Sequence, residues 1–188
     1  MSNHLGFENI FRVMVPAYDS PILWSGHSSM VHEIQKQLQK EPDAIFCSVG
    51  GGGLLGGIIL GCKDVGWEHG THDERFLEKS YLNSMAVPII ALETNGSDCF
   101  YESMSLNNGR FNSVNKDLPR GVNLVYNDQH SLYLAHFTEF SSKASGSLGA
   151  SEPSVEVVKM ALERPGGVKT VSVPDELSME ALISFASK

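Results

Sequence analysis

The chain has 188 residues, of which 41% are hydrophobic and 19% charged, and its net charge at pH 7 is −8. These values are typical of a globular protein with one good core. The acidic balance argues against nucleic acid or a membrane surface as the main partner, since both attract a cationic face. Three cysteines, with neither a signal peptide nor a bilayer-length apolar run, predict a cytoplasmic protein without a disulfide framework.

In chain order, the first clear element is a helix, which Ser28 or Ser29 is predicted to cap and which ends before Pro42. The continuous apolar run 44–49 predicts a central strand that is covered on both faces. An apolar helix over 54–65 follows, and its glycines are expected to let helix and sheet approach closely. This order is typical of the first half of a strand–helix–strand unit.

The polar stretch 68–85 predicts a surface insertion, and the apolar run 88–92 a second strand, parallel to the first. The remaining elements are a helix to Asn107 with Ser97 or Asp98 as its cap, a strand over 122–126, a helix over 131–140, a helix starting near Pro153, a strand over 168–173 and a last helix capped by Asp175. Together they predict a single α/β domain over 1–188, with an open, mostly parallel sheet and flanking helices.

Four consecutive glycines, Gly50, Gly51, Gly52 and Gly53, connect the first strand to its helix. Glycine has no side chain to pack and costs backbone entropy on folding, so another gain must offset the run. A glycine turn at a helix start can aim several N–H groups at one point, where the helix dipole also favours an anion. This glycine loop (residues 50–53) therefore predicts a phosphate site, whereas the plain alternative is a tight turn without a ligand.

The glycine loop also fits a dinucleotide-binding pattern. Gly51, Gly53 and Gly56 match G-x-G-x-x-G, and Glu93 ends the next strand, where an acid can bind a ribose. A run of glycines satisfies many such templates, so this match is weak. A Walker A loop is excluded, because no Lys-Ser or Lys-Thr follows the glycines.

Several segments together resemble the L-serine dehydratase (serine/threonine ammonia-lyase) family. Residues 48–57 read SVGGGGLLGG, residues 19–29 upstream read DSPILWSGHSS, and residues 91–94 downstream read ALET. Residues 145–150 and 171–175 also lie where the family has comparable segments. The glycine run together with the Trp-Ser-Gly-His segment is fairly specific, although neither would be so alone.

The resemblance implies a pyridoxal-phosphate enzyme of the tryptophan-synthase-β fold type, with this chain forming most of its large domain. Such a lyase deaminates L-serine or L-threonine to pyruvate or 2-oxobutanoate and ammonia. Its substrate is a small amino acid, and its roles lie in amino-acid catabolism, gluconeogenesis and isoleucine biosynthesis.

The resemblance also implies the binding residues. Gly50, Gly51, Gly52 and Gly53 would hold the phosphate of pyridoxal phosphate through their amides. A monovalent cation, usually potassium, would bind near the site through the Glu93 carboxylate and through backbone carbonyls near Ser97, Leu148 and Ala150. Oxygen ligands of this kind suit a hard cation.

Three family segments are not found in this sequence: the Ser-x-x-Phe-Lys motif whose lysine binds the cofactor aldehyde, a Ser-Gly-Asn segment and a Cys-Gly-Gly segment. The resemblance therefore leads us to expect a fragment that lacks the N-terminal part and the C-terminal end of a family member, and no catalytic residue is assigned to it. A non-catalytic regulatory relative is a further hypothesis. An exposed half-core would favour self-association, for example as a homodimer.

We expect the 188-residue chain alone to form almost no pyruvate from serine and pyridoxal phosphate. The missing lysine would otherwise bind the aldehyde and remove the α proton, while the cofactor ring takes up the electrons. Pyruvate can be followed by coupled oxidation of NADH, with a complete serine dehydratase as the positive control. Turnover close to that of the complete enzyme would contradict the expectation.

Overall fold

The computed structural model describes residues 14–68, 86–107 and 118–187. Its elements are α1 (Pro21–Leu38), β1 (Ile45–Ser48), α2 (Gly53–Asp64), β2 (Ile89–Thr94), α3 (Cys99–Asn107), β3 (Val122–Asn127), β4 (Leu132–Phe137), α4 (Ser145–Leu148), α5 (Val155–Glu163), β5 (Val168–Val173) and α6 (Asp175–Ala186). The parallel sheet with flanking helices confirms the predicted α/β class.

The parallel sheet has the strand order β1-β2-β5, so β2 is its central strand. Ile45 of β1 pairs with Ile89 of β2, which in turn pairs with Val168 of β5. The prediction of a central first strand is therefore wrong for the part of the sheet that the structure describes: there β1 lies at an edge, and Phe46 is 68% exposed. An apolar run shows that a strand is hydrophobic, but it does not determine how many strands pair with it.

The second sheet is an antiparallel hairpin of β3 and β4, so the helix predicted over 131–140 is wrong. Both faces of β4 contribute buried residues. Leu134 packs into the main core with α2 and α5, whereas Ala135 and Phe137 pack into a smaller core beside α3. A strand buried on both faces does not alternate between apolar and polar residues, so its periodicity does not separate it from a buried helix.

α1 begins earlier than predicted, at Pro21, with Ser20 at the N-cap position. A proline suits the first turn of a helix because its N–H would have no helical partner there. Ser28 and Ser29 lie inside the helix, where their hydroxyls donate to carbonyls three residues earlier, so neither serine is the cap. Ser154 does cap α5, one residue after the proline that predicted this start.

The last helix also starts differently. Pro174 stands at the N-cap position of α6, and Asp175 is its first residue. The Asp175 carboxylate accepts hydrogen bonds from the Ser142 hydroxyl and the Lys143 amide, and not from its own helix as predicted. The apolar side chains of α6 are exposed, with Phe185 at 82%.

Glu68, the first residue of the predicted insertion, is buried and not on the surface. Its carboxylate forms an ion pair with Arg164, 3.9 Å from Nε, and the Nη1 and Nη2 groups of Arg164 donate to the carbonyls of Gly167 (2.9 Å) and Val87 (2.6 Å). The start of this stretch is thus anchored in the core. Residues 69–85 lie outside the described residues.

The glycines of α2 face other helices more than the sheet. A Cβ on Gly61 would lie 2.6 Å from Cβ of Val31 and 2.9 Å from the Ser28 carbonyl oxygen. A Cβ on Gly57 would overlap with His27, also in α1. The missing side chains therefore allow α1 and α2 to approach closely, which brings the segment before α1 to the glycine loop.

We expect Gly61→Ala to destabilise the fold by about 1–3 kcal/mol, because the new methyl group overpacks the contact between α1 and α2. Gly26→Ala is the matched control. Gly26 lies in α1 with open space around its Cβ position, so this change should stabilise by about 0.5–1 kcal/mol through helix propensity. Urea unfolding of both variants tests this, and stabilisation by Gly61→Ala would contradict the close contact.

Candidate cofactor site

The glycine loop joins the end of β1 to the first turn of α2. Gly52 is the N-cap residue, with φ at +97°, a left-handed conformation that favours glycine. Gly51, Gly52 and Gly53 are buried. Among the described residues, none accepts a hydrogen bond from the amides of the loop. Buried amides without an acceptor at a helix N-terminus are the donors of an anion site.

Close neighbours exclude side chains from this loop. A Cβ on Gly50 would lie 2.7 Å from the carbonyl oxygen of Leu148, and a Cβ on Gly51 would overlap with the ring of Tyr18. Because both neighbours lie directly against the backbone of the loop, even an alanine side chain would require them to move. The glycines are thus needed for packing as well as for their free amides.

Polar contacts hold the segment before α1, which contains Tyr18 and Asp19, next to the glycine loop. The Tyr18 hydroxyl donates to the carbonyl of Glu152 at 2.9 Å, and the Ser154 hydroxyl donates to the Asp19 carboxylate at 2.6 Å. The Ser154 amide donates to the Gly51 carbonyl at 2.9 Å. Burial raises the pKa of Tyr18, so its phenol stays protonated and able to donate.

Sequence reasoning missed Tyr18 as a site residue. The prolines that bracket its loop indicate a fixed turn, but nothing in the sequence shows that this turn meets a glycine loop more than thirty residues away.

A cavity of about 380 Å³ opens at the glycine loop. It is lined by Ala17, Tyr18, His27, residues 48–55 and residues 147–150. The structure therefore brings Leu148 and Ala150, two of the predicted cation ligands, next to the predicted phosphate site. Glu93 and Ser97, the other two, do not line this cavity.

Glu93 is 2% exposed, and its carboxylate accepts hydrogen bonds from the amides of Phe100 (3.0 Å) and Tyr101 (2.6 Å). It thereby caps α3 from the end of β2, and neither Ser97 nor Asp98, the predicted caps, provides a side chain to these amides. Burial raises the pKa of Glu93 well above its usual value, against the opposing effect of the two amides. A carboxylate held in this way is poorly placed to bind a ribose.

Residues 11–188 match the family described as "Pyridoxal-phosphate dependent enzyme". The chain belongs to this family. Pyridoxal phosphate, which gives the family its name, carries a phosphate that needs hydrogen-bond donors. The amides of the glycine loop, which have no acceptor in the described parts of the chain, fit that phosphate together with the start of α2 and the adjoining cavity.

Relatives within the pyridoxal-phosphate dependent enzymes confirm the resemblance to serine dehydratases. The chain is 34% identical over 167 residues to L-serine dehydratase/L-threonine deaminase of Mus musculus, with 86% of this chain and 45% of the relative covered. It is 41% identical over 95 residues to serine dehydratase-like of Homo sapiens, with 50% and 22% covered.

A solved structure gives the same result. The fungal L-serine ammonia-lyase of Rhizomucor miehei superposes with a TM-score of 0.63 and 29% identity, over 92% of this chain and 41% of that one. The chain thus spans less than half the length of these relatives.

Two further observations concern the described parts of the chain only. No helix in them is long and apolar enough to cross a membrane. Nor do three His, Cys, Asp or Glu side chains come together there in a way that could hold a metal ion. The predicted potassium ligands are mainly carbonyl oxygens, so this second finding does not test them.

The three cysteines are buried, and burial raises the pKa of Cys47 and of Cys62 to about 11 and that of Cys99 further. At about pH 8 a thiol with such a pKa is ionised in only ~1 of 1,000 molecules. We therefore expect slow labelling of the folded chain by a thiol reagent, with a rate that rises as the pH approaches 11. Concentrated urea, in which all three should react at once, is the control. A thiol that reacts at the rate of free cysteine in the folded chain would contradict this burial.

Proposed function

We propose that this chain forms the phosphate-binding part of a pyridoxal-phosphate enzyme that deaminates L-serine or L-threonine, to pyruvate or 2-oxobutanoate and ammonia. The observation that carries the proposal is that Gly51, Gly52 and Gly53 are buried and that no acceptor for their amides lies among the described residues. The names of the relatives supply the reaction. Because the chain spans less than half of them, the activity is proposed for the whole protein.

The glycine loop has a defined task in this proposal. Its amides, with the positive end of the α2 dipole, bind and orient the phosphate dianion. A net charge of −8 provides no basic field, so the phosphate must be held locally by these donors. Tyr18 and the Leu148 carbonyl border the loop and fix the position of its backbone. When bound, the cofactor supplies an electron sink for removal of the α proton.

We also propose a potassium site formed by the Glu93 carboxylate and carbonyls near Ser97, Leu148 and Ala150. Supporting this, the buried hydroxyl of Ser97 has no hydrogen-bond partner among the described residues, and a cation would use such an oxygen. Glu93 would then bind the cation with lone pairs that its two amide donors leave free.

A homodimer and a cytoplasmic location belong to the same proposal, as do roles in amino-acid catabolism, gluconeogenesis and isoleucine biosynthesis. The exposed apolar side chains of α6 and the exposed Phe46 on the edge strand β1 support self-association.

Two alternatives are less well supported. A dinucleotide site needs Glu93 for the ribose, but Glu93 is 2% exposed and does not line the cavity at the glycine loop. A non-catalytic relative would keep the phosphate loop without turnover. It would bind cofactor in the full-length protein but release no ammonia from serine, so an ammonia assay of that protein separates it from the enzyme.

We expect Gly50→Ala to weaken binding of pyridoxine 5′-phosphate by about tenfold or more, because the new methyl group displaces Leu148 and misaligns the amides. This probe has the ring and phosphate of the cofactor but no aldehyde, so its binding needs no lysine. Equilibrium dialysis gives the affinity.

Gly146→Ala is the matched control, since Gly146 lies in the neighbouring helix α4 with open space at its Cβ position. It should bind as the unchanged chain does. An unchanged chain that binds NADH but not pyridoxine 5′-phosphate would overturn the proposal in favour of a dinucleotide site.

A further inference from the structure

The segment 142–149 leads into one wall of the cavity, which residues 147–150 line, with the Leu148 carbonyl facing Gly50. Its only helix, α4, has four residues and buries none of them. Hydrophobic packing therefore contributes little to the position of this wall. What fixes it must act mainly at its ends, and at one end the structure has a set of short polar contacts.

Ser142 is the centre of these contacts and is 5% exposed. Its Oγ lies 2.7 Å from Oγ1 of Thr94 and 2.7 Å from Oδ1 of Asp175, and it accepts the Ala144 amide at 3.0 Å. An ionised carboxylate only accepts, so the single Ser142 proton goes to Asp175. Thr94 must then donate to Ser142, and both lone pairs of the Ser142 hydroxyl are used.

The other oxygen of the Asp175 carboxylate accepts the Lys143 amide at 2.7 Å. One carboxylate thus holds two consecutive residues at the start of the segment, from the first turn of α6. These two hydrogen bonds lower the pKa of Asp175, as expected for an acid that is held in its charged form. The Ala144 carbonyl in turn accepts a hydrogen bond from the Leu148 amide at 2.9 Å, which links these contacts to the cavity wall.

We propose that Asp175 is a positioning residue for the phosphate site: through Ser142 and the Lys143 amide it fixes the segment 142–149, so that the Leu148 carbonyl lies against Gly50. This inference rests on the proposed function, because it takes the glycine loop as a phosphate site. Asp175 touches no ligand in this proposal and acts only through the wall.

Asparagine in place of Asp175 cannot satisfy the same partners. If its amide oxygen accepts from Lys143, its NH₂ group must donate to Ser142, so the Ser142 proton turns to Thr94 and the Thr94 hydroxyl loses Ser142 as its acceptor. If the group turns over, the NH₂ faces the Lys143 amide, another donor. One donor therefore loses its acceptor in either arrangement, although the side chain keeps its size.

The test compares Asp175→Asn with Asp175→Glu, which keeps the charge, and with Glu176→Gln. Glu176 also lies in the first turn of α6 but is exposed, so Glu176→Gln removes a charge and keeps the hydrogen bonds of Asp175 to Ser142 and Lys143. Two readouts are measured for each variant: hydrogen exchange of the amides in 144–149, and dialysis with pyridoxine 5′-phosphate. Urea unfolding monitors the stability of the whole fold.

We expect Asp175→Asn to speed exchange in 144–149 and to weaken binding, each by about tenfold, with unfolding shifted little. Asp175→Glu should recover part of both effects, and Glu176→Gln should change neither. Should Asp175→Asn fail to fold, Ser142→Ala removes the same fastening from its other end and should give the same two changes.

Normal exchange and binding in Asp175→Asn would overturn the inference, and so would equal effects from Glu176→Gln. If the unchanged chain does not bind the probe at all, the proposed phosphate site itself is wrong. In that case hydrogen exchange still shows whether Asp175 fixes the segment 142–149. A failure of this inference can therefore be distinguished from a failure of the proposed phosphate site.

Discussion

The candidate site depends on close packing around the glycine loop, whose four consecutive residues have no room for side chains. The Leu148 carbonyl, the Tyr18 ring and the Val157 side chain approach the glycine loop closely. The Gly51 carbonyl is used by the Ser154 amide, while the loop's own N–H groups have no acceptor among the described residues. Packing thus fixes the loop backbone, while its N–H groups stay available to a ligand. Binding of that ligand would offset the entropy cost of the glycines.

The order of the elements could be largely read from the sequence, because apolar runs and glycine or proline breaks mark where strands and helices begin and end. Two errors have a common cause. The run 44–49 was expected at the centre of a sheet, and 131–140 was expected to be a helix. In each case local hydrophobicity was visible but the neighbours were not: β1 has one strand partner among the described strands, and β4 has buried residues on both faces.

The glycine loop could be found from sequence because its four glycines are unusual in themselves. Its surroundings could not, because they come from distant segments. Asp175 illustrates the limit: a carboxylate that accepts backbone amides was expected, and it does so, but its partner is Lys143 and not its own helix. Glu93 likewise caps a helix, α3, that starts several residues after its own strand ends.

The long-range fastening of Tyr18 and Asp19 also bears on how the chain folds. Their partners Glu152 and Ser154 follow 134 and 135 residues later, so the site has a very high contact order. During synthesis, the glycine loop emerges long before the segments that hold it. The complete anion site can therefore form only after residues 152–154 have been synthesised. A phosphate ligand would then stabilise the completed fold selectively over partly folded chains, by mass action.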